Sequence, residues 1–211
     1  VHARSTPREA PRKEPRKELL EALKRPVALI GPMAVGKSAV GQQLARQLGV
    51  RFVDTDVEVV ARHGSIADIF AGRGESAFRE LEARAVAQAV EEAAGSATVI
   101  SLGGGAVLDS GTQQLLATCT VVYLECDADT VSERIARNSG RPLLAGDAME
   151  RWRVLFATRQ PVYERLADVI LDVRNGSVPD LADRLQDALE QQAAVRTGKA
   201  ATPAATKKVE K

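Results

Sequence analysis

The sequence predicts an α/β fold in which helices cover both faces of a parallel sheet. Short, wholly apolar runs alternate along the chain with longer stretches of helical periodicity. The first apolar run, Val27 to Ile30, leads directly into GPMAVGKS, Gly31 to Ser38, which fits the phosphate-holding pattern G-x-x-x-x-G-K-[ST]. The other residues with chemical potential also stand at the ends of apolar runs, where open parallel sheets collect their ligands.

Val27 to Ile30 reads as a short buried strand. Lys37 to Leu48 reads as a helix, with Val40, Leu44 and Leu48 four apart and Gly49 as its stop. Arg51 to Val53 is a second strand ending at Asp54. SIAD, Ser65 to Asp68, has the form of a capping box. Glu75 to Ala94 is helical, with Phe78, Leu81, Ala85 and Ala89 on one face and Gly95 as terminator. Thr98 to Leu102 is an apolar strand that runs into Gly103, Gly104 and Gly105. Thr120 to Leu124 is another, followed by a helix from Asp129 to Arg137, a loop over Asn138 to Gly146 and a helix over Ala148 to Thr158. TRQPVY then places Arg159 just before a proline break. Val169 to Asp172 is the last strand and Leu181 to Gln192 the last helix.

Bulk properties narrow the function classes. The chain has 211 residues, 45% of them hydrophobic, enough for one domain with a substantial core. No apolar run approaches the ~20 residues needed to span a bilayer, and the charged, Pro-rich start has no signal-peptide character. Residues 1–25 carry eight Lys/Arg against four Glu, and residues 193–211 five Lys/Arg against one Glu. The whole chain is +1, which leaves −7 on residues 26–192. An acidic body with only seven aromatic residues argues against nucleic-acid binding. The tails read as solvated, disordered extensions, with a short helix over 17–25. Cys119 and Cys126 match no metal-ligand spacing and read as buried thiols in a reducing, cytoplasmic setting. A monomer is expected.

The chemistry concentrates in a few stretches. In GPMAVGKS the backbone amides and the following helix start form an anion site, where Lys37 would reach the β- and γ-phosphates and Ser38 would ligate Mg²⁺. Asp54 and Asp56, in FVDTDVEVV, stand at a strand end. One can hold hydrated Mg²⁺ and the other a substrate hydroxyl, although a solvated turn with a helix N-cap is the plainer alternative. Arg79, in FRELE, lies at the edge of a buried helical face, and Arg159 precedes a proline. Either one alone is more often a surface charge. Three glycines after a strand permit close backbone approach to a ligand. NSGRPLLAG, Asn138 to Gly146, suits a mobile lid carrying Arg141 to phosphates.

In this order, GPMAVGKS, DTD, GSIADIF…GESAFRELE, SLGGGAV, RPLL and TRQPVY resemble the shikimate kinase family over nearly all of residues 26–192. The resemblance implies a P-loop, nucleoside-monophosphate-kinase-like, three-layer fold with a five-stranded parallel sheet. It implies transfer of the ATP γ-phosphate to the 3-hydroxyl of shikimate, with one Mg²⁺ ion. The nucleotide would then rest on Gly31, Ala34, Val35, Gly36, Lys37, Ser38 and Ala39, with Arg134 stacked on adenine and Arg141 over the phosphates. Ser38 and Asp54 would hold the metal. Asp56 would bind the substrate hydroxyls, Arg79 and Arg159 the carboxylate, and Gly104 a backbone contact beside Gly103 and Gly105. Lys37, Asp56 and Arg141 would carry catalysis. Ala34 stands where the family commonly has a third glycine, and Ala39 where threonine is common. Two other readings share these motifs: a kinase of another small hydroxylated acid, and a ligand-sensing module without turnover.

Overall fold

The structure, a computed structural model, describes residues 25–136 and 147–196, with the side chains of Glu133, Arg134 and Ala136 left out. Arg141, the 138–146 loop, nearly all of the 17–25 helix and most of both tails therefore lie outside the described residues.

Five strands form one all-parallel sheet: β1 (Val27–Ile30), β2 (Arg51–Asp54), β3 (Thr98–Ser101), β4 (Thr120–Glu125) and β5 (Val169–Asp172). Their order across the sheet is β2-β3-β1-β4-β5. β1 is central, pairing Val27 with Val99 on one side and with Thr120 on the other. The chain adds strands first on one side of β1 and then on the other. The carboxyl end of β1 is thus the switch point where open α/β sheets bind ligands.

Strand alternation divides the core into two faces. Val27 and Leu29 point to one face and pack with Leu44 of α1 (Lys37–Leu48), Val131 and Ile135 of α5 (Ala128–Ala136), and Leu181, Leu185 and Leu189 of α7 (Val178–Arg196). Ala28 and Ile30 point to the other, against Val86, Ala89 and Val90 of α3 (Ile66–Glu92) and Leu116 of α4 (Ser110–Leu116). Burial of such side chains contributes about 1.5–3 kcal/mol each. A satellite cluster joins Val59 of α2 (Thr55–His63) to Ile69, Phe78 and Leu81 of α3. Cys119 and Cys126 are buried free thiols. Among the described residues, no helix is long and apolar enough to cross a membrane.

The elements differ from the sequence reading at several points. α4 and the 3-10 turn over Ala106–Leu108 have no counterpart in it, and α2 has only a candidate N-cap. α2 is only nine residues long and starts inside the DTD motif, where the sequence offers a helix N-cap but no helix boundaries. α3 starts at Ile66, nine residues before Glu75. Ser65 caps it by accepting from the Asp68 N–H at 3.1 Å, and Gly74, at φ +79°, breaks the helical run with a kink only glycine adopts easily. α6 (Ala148–Leu166) runs straight through Pro161 where a break is expected. Proline forfeits one helical bond there, but Trp152, Arg159 and Tyr163, seven and four residues apart, bury a single face on both sides of it. α7 extends to Arg196, four residues beyond the reading's boundary.

Candidate active site

At the carboxyl end of β1 the chain turns through residues 31–36 into α1. Gly36, at φ +106°, starts the helix, and no side chain caps it. The turn encloses the Lys37 side chain, which is buried, and its Nζ donates to the carbonyls of Gly31 and Pro32, each at 2.9 Å. Ala34 adopts φ +66°, the one described non-glycine residue in the left-handed region. The position where glycine is common is thus one whose backbone favours glycine.

Ser38, one residue further along α1, meets the end of β2. Its Oγ donates to Asp54 Oδ2 at 2.5 Å and lies 3.4 Å from the Oγ of Ser101. The other carboxylate oxygen of Asp54 caps α2, accepting from the N–H groups of Asp56 at 3.0 Å and Val57 at 3.3 Å. One carboxylate therefore caps α2 and still turns an oxygen toward the start of α1. Thr55, fully buried, donates to the Ser101 carbonyl and accepts from the Gly103 N–H, both at 3.3 Å. It locks the DTD segment to the glycine triplet.

That triplet is packed too tightly for side chains. A Cβ on Gly103 would overlap Glu82 and lie 2.7 Å from Asp56 Oδ1. On Gly104 it would lie 3.2 Å from the Met33 nitrogen of the phosphate loop. On Gly105 it would overlap Arg79, 2.6 Å from the guanidinium carbon. The glycines let the strand end fit between the phosphate loop and a cluster of charged side chains.

That cluster is Asp56, Arg79, Glu82 and Arg159. Arg79 leans over the Phe78 ring and donates to Glu82 at 2.6 Å and to Glu75 at 3.1 Å. Glu82 is 2% exposed and Arg159 4%. Burial pushes the Glu82 carboxyl up from its ordinary range; the charges of Arg79 and Arg159 oppose the shift, and that of Asp56 adds to it. Glu82 thus stands electrostatically between two guanidinium groups. Sequence reasoning missed it, although its place three residues after Arg79 on a helix is a spacing that pairs side chains.

A cavity of about 570 Å³ connects these parts. Ala34, Val35, Gly36, Lys37, Ser38 and Ala39 form one end. Asp56, Arg79, Glu82, Gly104, Gly105 and Arg159 form the other, with Ile66, Phe70 and Phe78 as an apolar wall. Gly31, Asp54 and Gly103 stand behind this lining rather than in it. Such a space can hold an anionic group on the loop and a smaller polar acid beside it, with the reacting atoms meeting between.

A family model described as Shikimate kinase matches residues 33–190. The chain belongs to the shikimate kinase family. It is 42% identical over 165 residues to the shikimate kinase of Streptomyces coelicolor, covering 78% of this chain and 95% of that one. It is 47% identical over 146 residues to that of Mycobacterium tuberculosis, covering 68% and 81%. Among solved structures, a shikimate kinase from Acinetobacter baumannii in complex with shikimate superposes with a TM-score of 0.74 at 30% identity, over 83% of this chain and 94% of that one. A gluconokinase from Sinorhizobium meliloti, 16% identical with a TM-score of 0.60, shares the fold alone. Within the shikimate kinase family, the five-stranded parallel sheet and P-loop of this chain are the expected ones.

Proposed function

We propose that the chain transfers the γ-phosphate of ATP to the 3-hydroxyl of shikimate, yielding shikimate 3-phosphate and ADP. The observation that carries this is one cavity joining the phosphate loop to half-buried Arg79, ion-paired with buried Glu82, and to buried Arg159. That end suits a small carboxylic acid, and membership of the shikimate kinase family supports which one.

Each part of the site has a task in this reading. The amides of residues 34–39 and the uncapped start of α1 take the phosphates. Lys37, held in the loop by two carbonyls, keeps its charge at the phosphates. Arg79 and Arg159 take the substrate carboxylate through paired bonds. Asp56 orients the attacking hydroxyl and receives its proton late, because phosphoryl transfer has a loose transition state. The glycine triplet adds backbone contact to the acid. Arg134 and Arg141 are assigned to adenine and to the phosphates on their place in the sequence alone. Positioning and charge supply most of the acceleration.

Shikimate kinases are ATP-dependent, and this reading assigns one Mg²⁺ ion to Ser38 and Asp54. The donor set fits. Two hard oxygens 2.5 Å apart stand beside the loop, and no group of three His, Cys, Asp or Glu residues forms a cage among the described residues. Magnesium is usually held by one or two protein oxygens, with phosphate oxygens and water completing its shell. When bound it would offset charge on the phosphates.

We further infer a monomer, since one chain supplies every candidate side chain, and a reducing cytoplasmic setting, which suits the two buried thiols. The acidic body argues against a nucleic-acid partner.

A coupled assay of ADP release tests the reading with shikimate, with gluconate and with no acceptor. Shikimate should raise the rate by orders of magnitude over both controls. Equal rates with all three would refute it.

A further inference from the structure

Tyr163 lies on the inner face of α6, one turn beyond Arg159, and is wholly buried. Its hydroxyl donates to the Gly104 carbonyl at 2.5 Å. Burial pushes that hydroxyl's pKa up to about 12, with the Arg159 guanidinium beside it acting in the opposite direction, so the group is a neutral donor at any working pH. The ring stacks on Tyr123 of β4, with centroids 5.3 Å apart and planes 23° apart. A flat ring clamped on one face holds its hydroxyl at a fixed point.

The Gly104 carbonyl is therefore tied to Tyr163. In a trans peptide the C=O and the following N–H point in opposite directions. Gly104 and Gly105 line the large cavity, whereas Tyr163 does not. The bond turns the carbonyl away from the cavity and aims the Gly105 N–H the other way. The same helix holds the other end of the site: Trp152, two turns before Arg159, donates its indole N–H to the Met33 carbonyl at 3.1 Å. Pro32, Met33, Trp152, Arg159 and Tyr163 together wall one void of about 10 Å³. The phosphate loop, the glycine triplet and the Arg159 guanidinium thus share one support.

We propose that Tyr163 is a positioning residue for the acceptor: its hydroxyl sets the Gly104–Gly105 peptide and the Arg159 guanidinium in register, so that both meet one carboxylate. The inference rests on the functional reading above. Tyr163 touches neither substrate and acts through its neighbours.

The test is steady-state kinetics of Tyr163→Phe, with ATP and shikimate varied separately. Losing one buried bond, and the fixed peptide with it, should lower kcat/KM for shikimate by roughly 5- to 30-fold. The loss should fall mainly on the shikimate KM, with the ATP KM within about twofold of wild type. Tyr123→Phe is the matched control. Its hydroxyl is equally buried in the same stack but has no hydrogen-bond partner among the described residues, so both KM values should stay near wild type. If Tyr163→Phe folds poorly, titration calorimetry separates the effects, because stoichiometry counts folded sites while Kd reports the positioning. An unchanged shikimate KM and Kd in Tyr163→Phe overturns the inference, as does an equal loss for both substrates or an equal loss in Tyr123→Phe. If the wild type itself shows no shikimate-dependent ADP release, the functional reading fails and takes this inference with it. Normal wild-type turnover with an unaffected Tyr163→Phe sinks the inference alone.

Discussion

Gly105→Ala isolates the acceptor half of the site with one methyl group. Gly105 has φ −101° and ψ −14°, which alanine adopts without strain, so the backbone should tolerate the change. The added Cβ would lie 2.6 Å from the guanidinium carbon of Arg79, whereas ordinary contact begins near 3.4 Å. Arg79 must withdraw by about 1 Å. Its anchor Glu82 cannot follow easily, because that side chain is 2% exposed and already lies against Gly103. Misplacing a substrate-positioning group by ~1 Å can cost ~100-fold in rate. We therefore expect kcat/KM for shikimate to fall by about 100-fold, with the ATP KM unchanged. Stability should fall by about 1 kcal/mol, the value of a weakened hydrogen bond, which shifts Tm by roughly 2–4 °C in a chain of this size. Coupled kinetics and a thermal melt supply both numbers. A double-mutant cycle with Arg79→Ala then tests the cause. If the methyl acts through Arg79, adding it to Arg79→Ala should cost little more. Independent, additive losses would refute the steric argument, as would a Gly105→Ala enzyme with wild-type efficiency.

Three further expectations address other parts of the site. Asp54→Asn keeps an oxygen to cap α2 but removes the charge facing Ser38, so the Mg²⁺ concentration for half-maximal rate should rise about 10- to 100-fold with Tm nearly unchanged; an unchanged Mg²⁺ titration would move the metal elsewhere. Ala34→Gly should raise stability by at most ~1 kcal/mol, because the left-handed backbone costs alanine about 1–2 kcal/mol and the greater freedom of unfolded glycine returns about half of that; a fall in Tm would contradict it. Glu82 has a folded-state pKa above its ordinary value of 4.5, so folding favours its protonated form. That contribution is full below pH 4.5 and is lost as pH rises through the raised folded value. Melts of wild type and Glu82→Gln across this window should show the wild type losing ground as pH rises, and a constant difference would mean Glu82 titrates normally.

The fold was largely legible. The three inner strands, β1, β3 and β4, are almost wholly buried on both faces, so continuous hydrophobicity survives in the sequence as a signal there, whereas the edge strands β2 and β5 each bury one residue fully. α1 carries both a helical stripe and a glycine stop, and its bounds match the reading. The misread elements have weak local signals. α2 and α4 are nine and seven residues long, too short for periodicity to accumulate. α6 crosses a proline because burial on both sides of Pro161 outweighs a local preference that the sequence displays openly. At the site, Ser38 and Asp54 could both be assigned on paper, since each stands at the carboxyl end of a parallel strand; their contact spans β3, which lies between β1 and β2 in the sheet.

The supporting contacts were a different matter. Thr55 reaches Gly103 across 48 residues, Tyr163 reaches Gly104 across 59, and Trp152 reaches Met33 across 119. Each is a polar atom on a buried side chain, and its partner is a backbone group. A backbone carbonyl has no residue-type signature, so nothing in the sequence can mark Gly104 or Met33 as an acceptor. What the sequence does display is an aromatic or hydroxyl residue that reads as ordinary core. The distinction arises only when the strand order sets α6 against both the phosphate loop and the glycine triplet. Residues assigned to the substrates are of charged or glycine types that announce themselves, whereas residues that fix those groups in place are concealed by their burial. The kinetic contrast between Tyr163→Phe and Tyr123→Phe applies this argument to two tyrosines that the sequence cannot rank and that differ, in the folded chain, by one hydrogen bond.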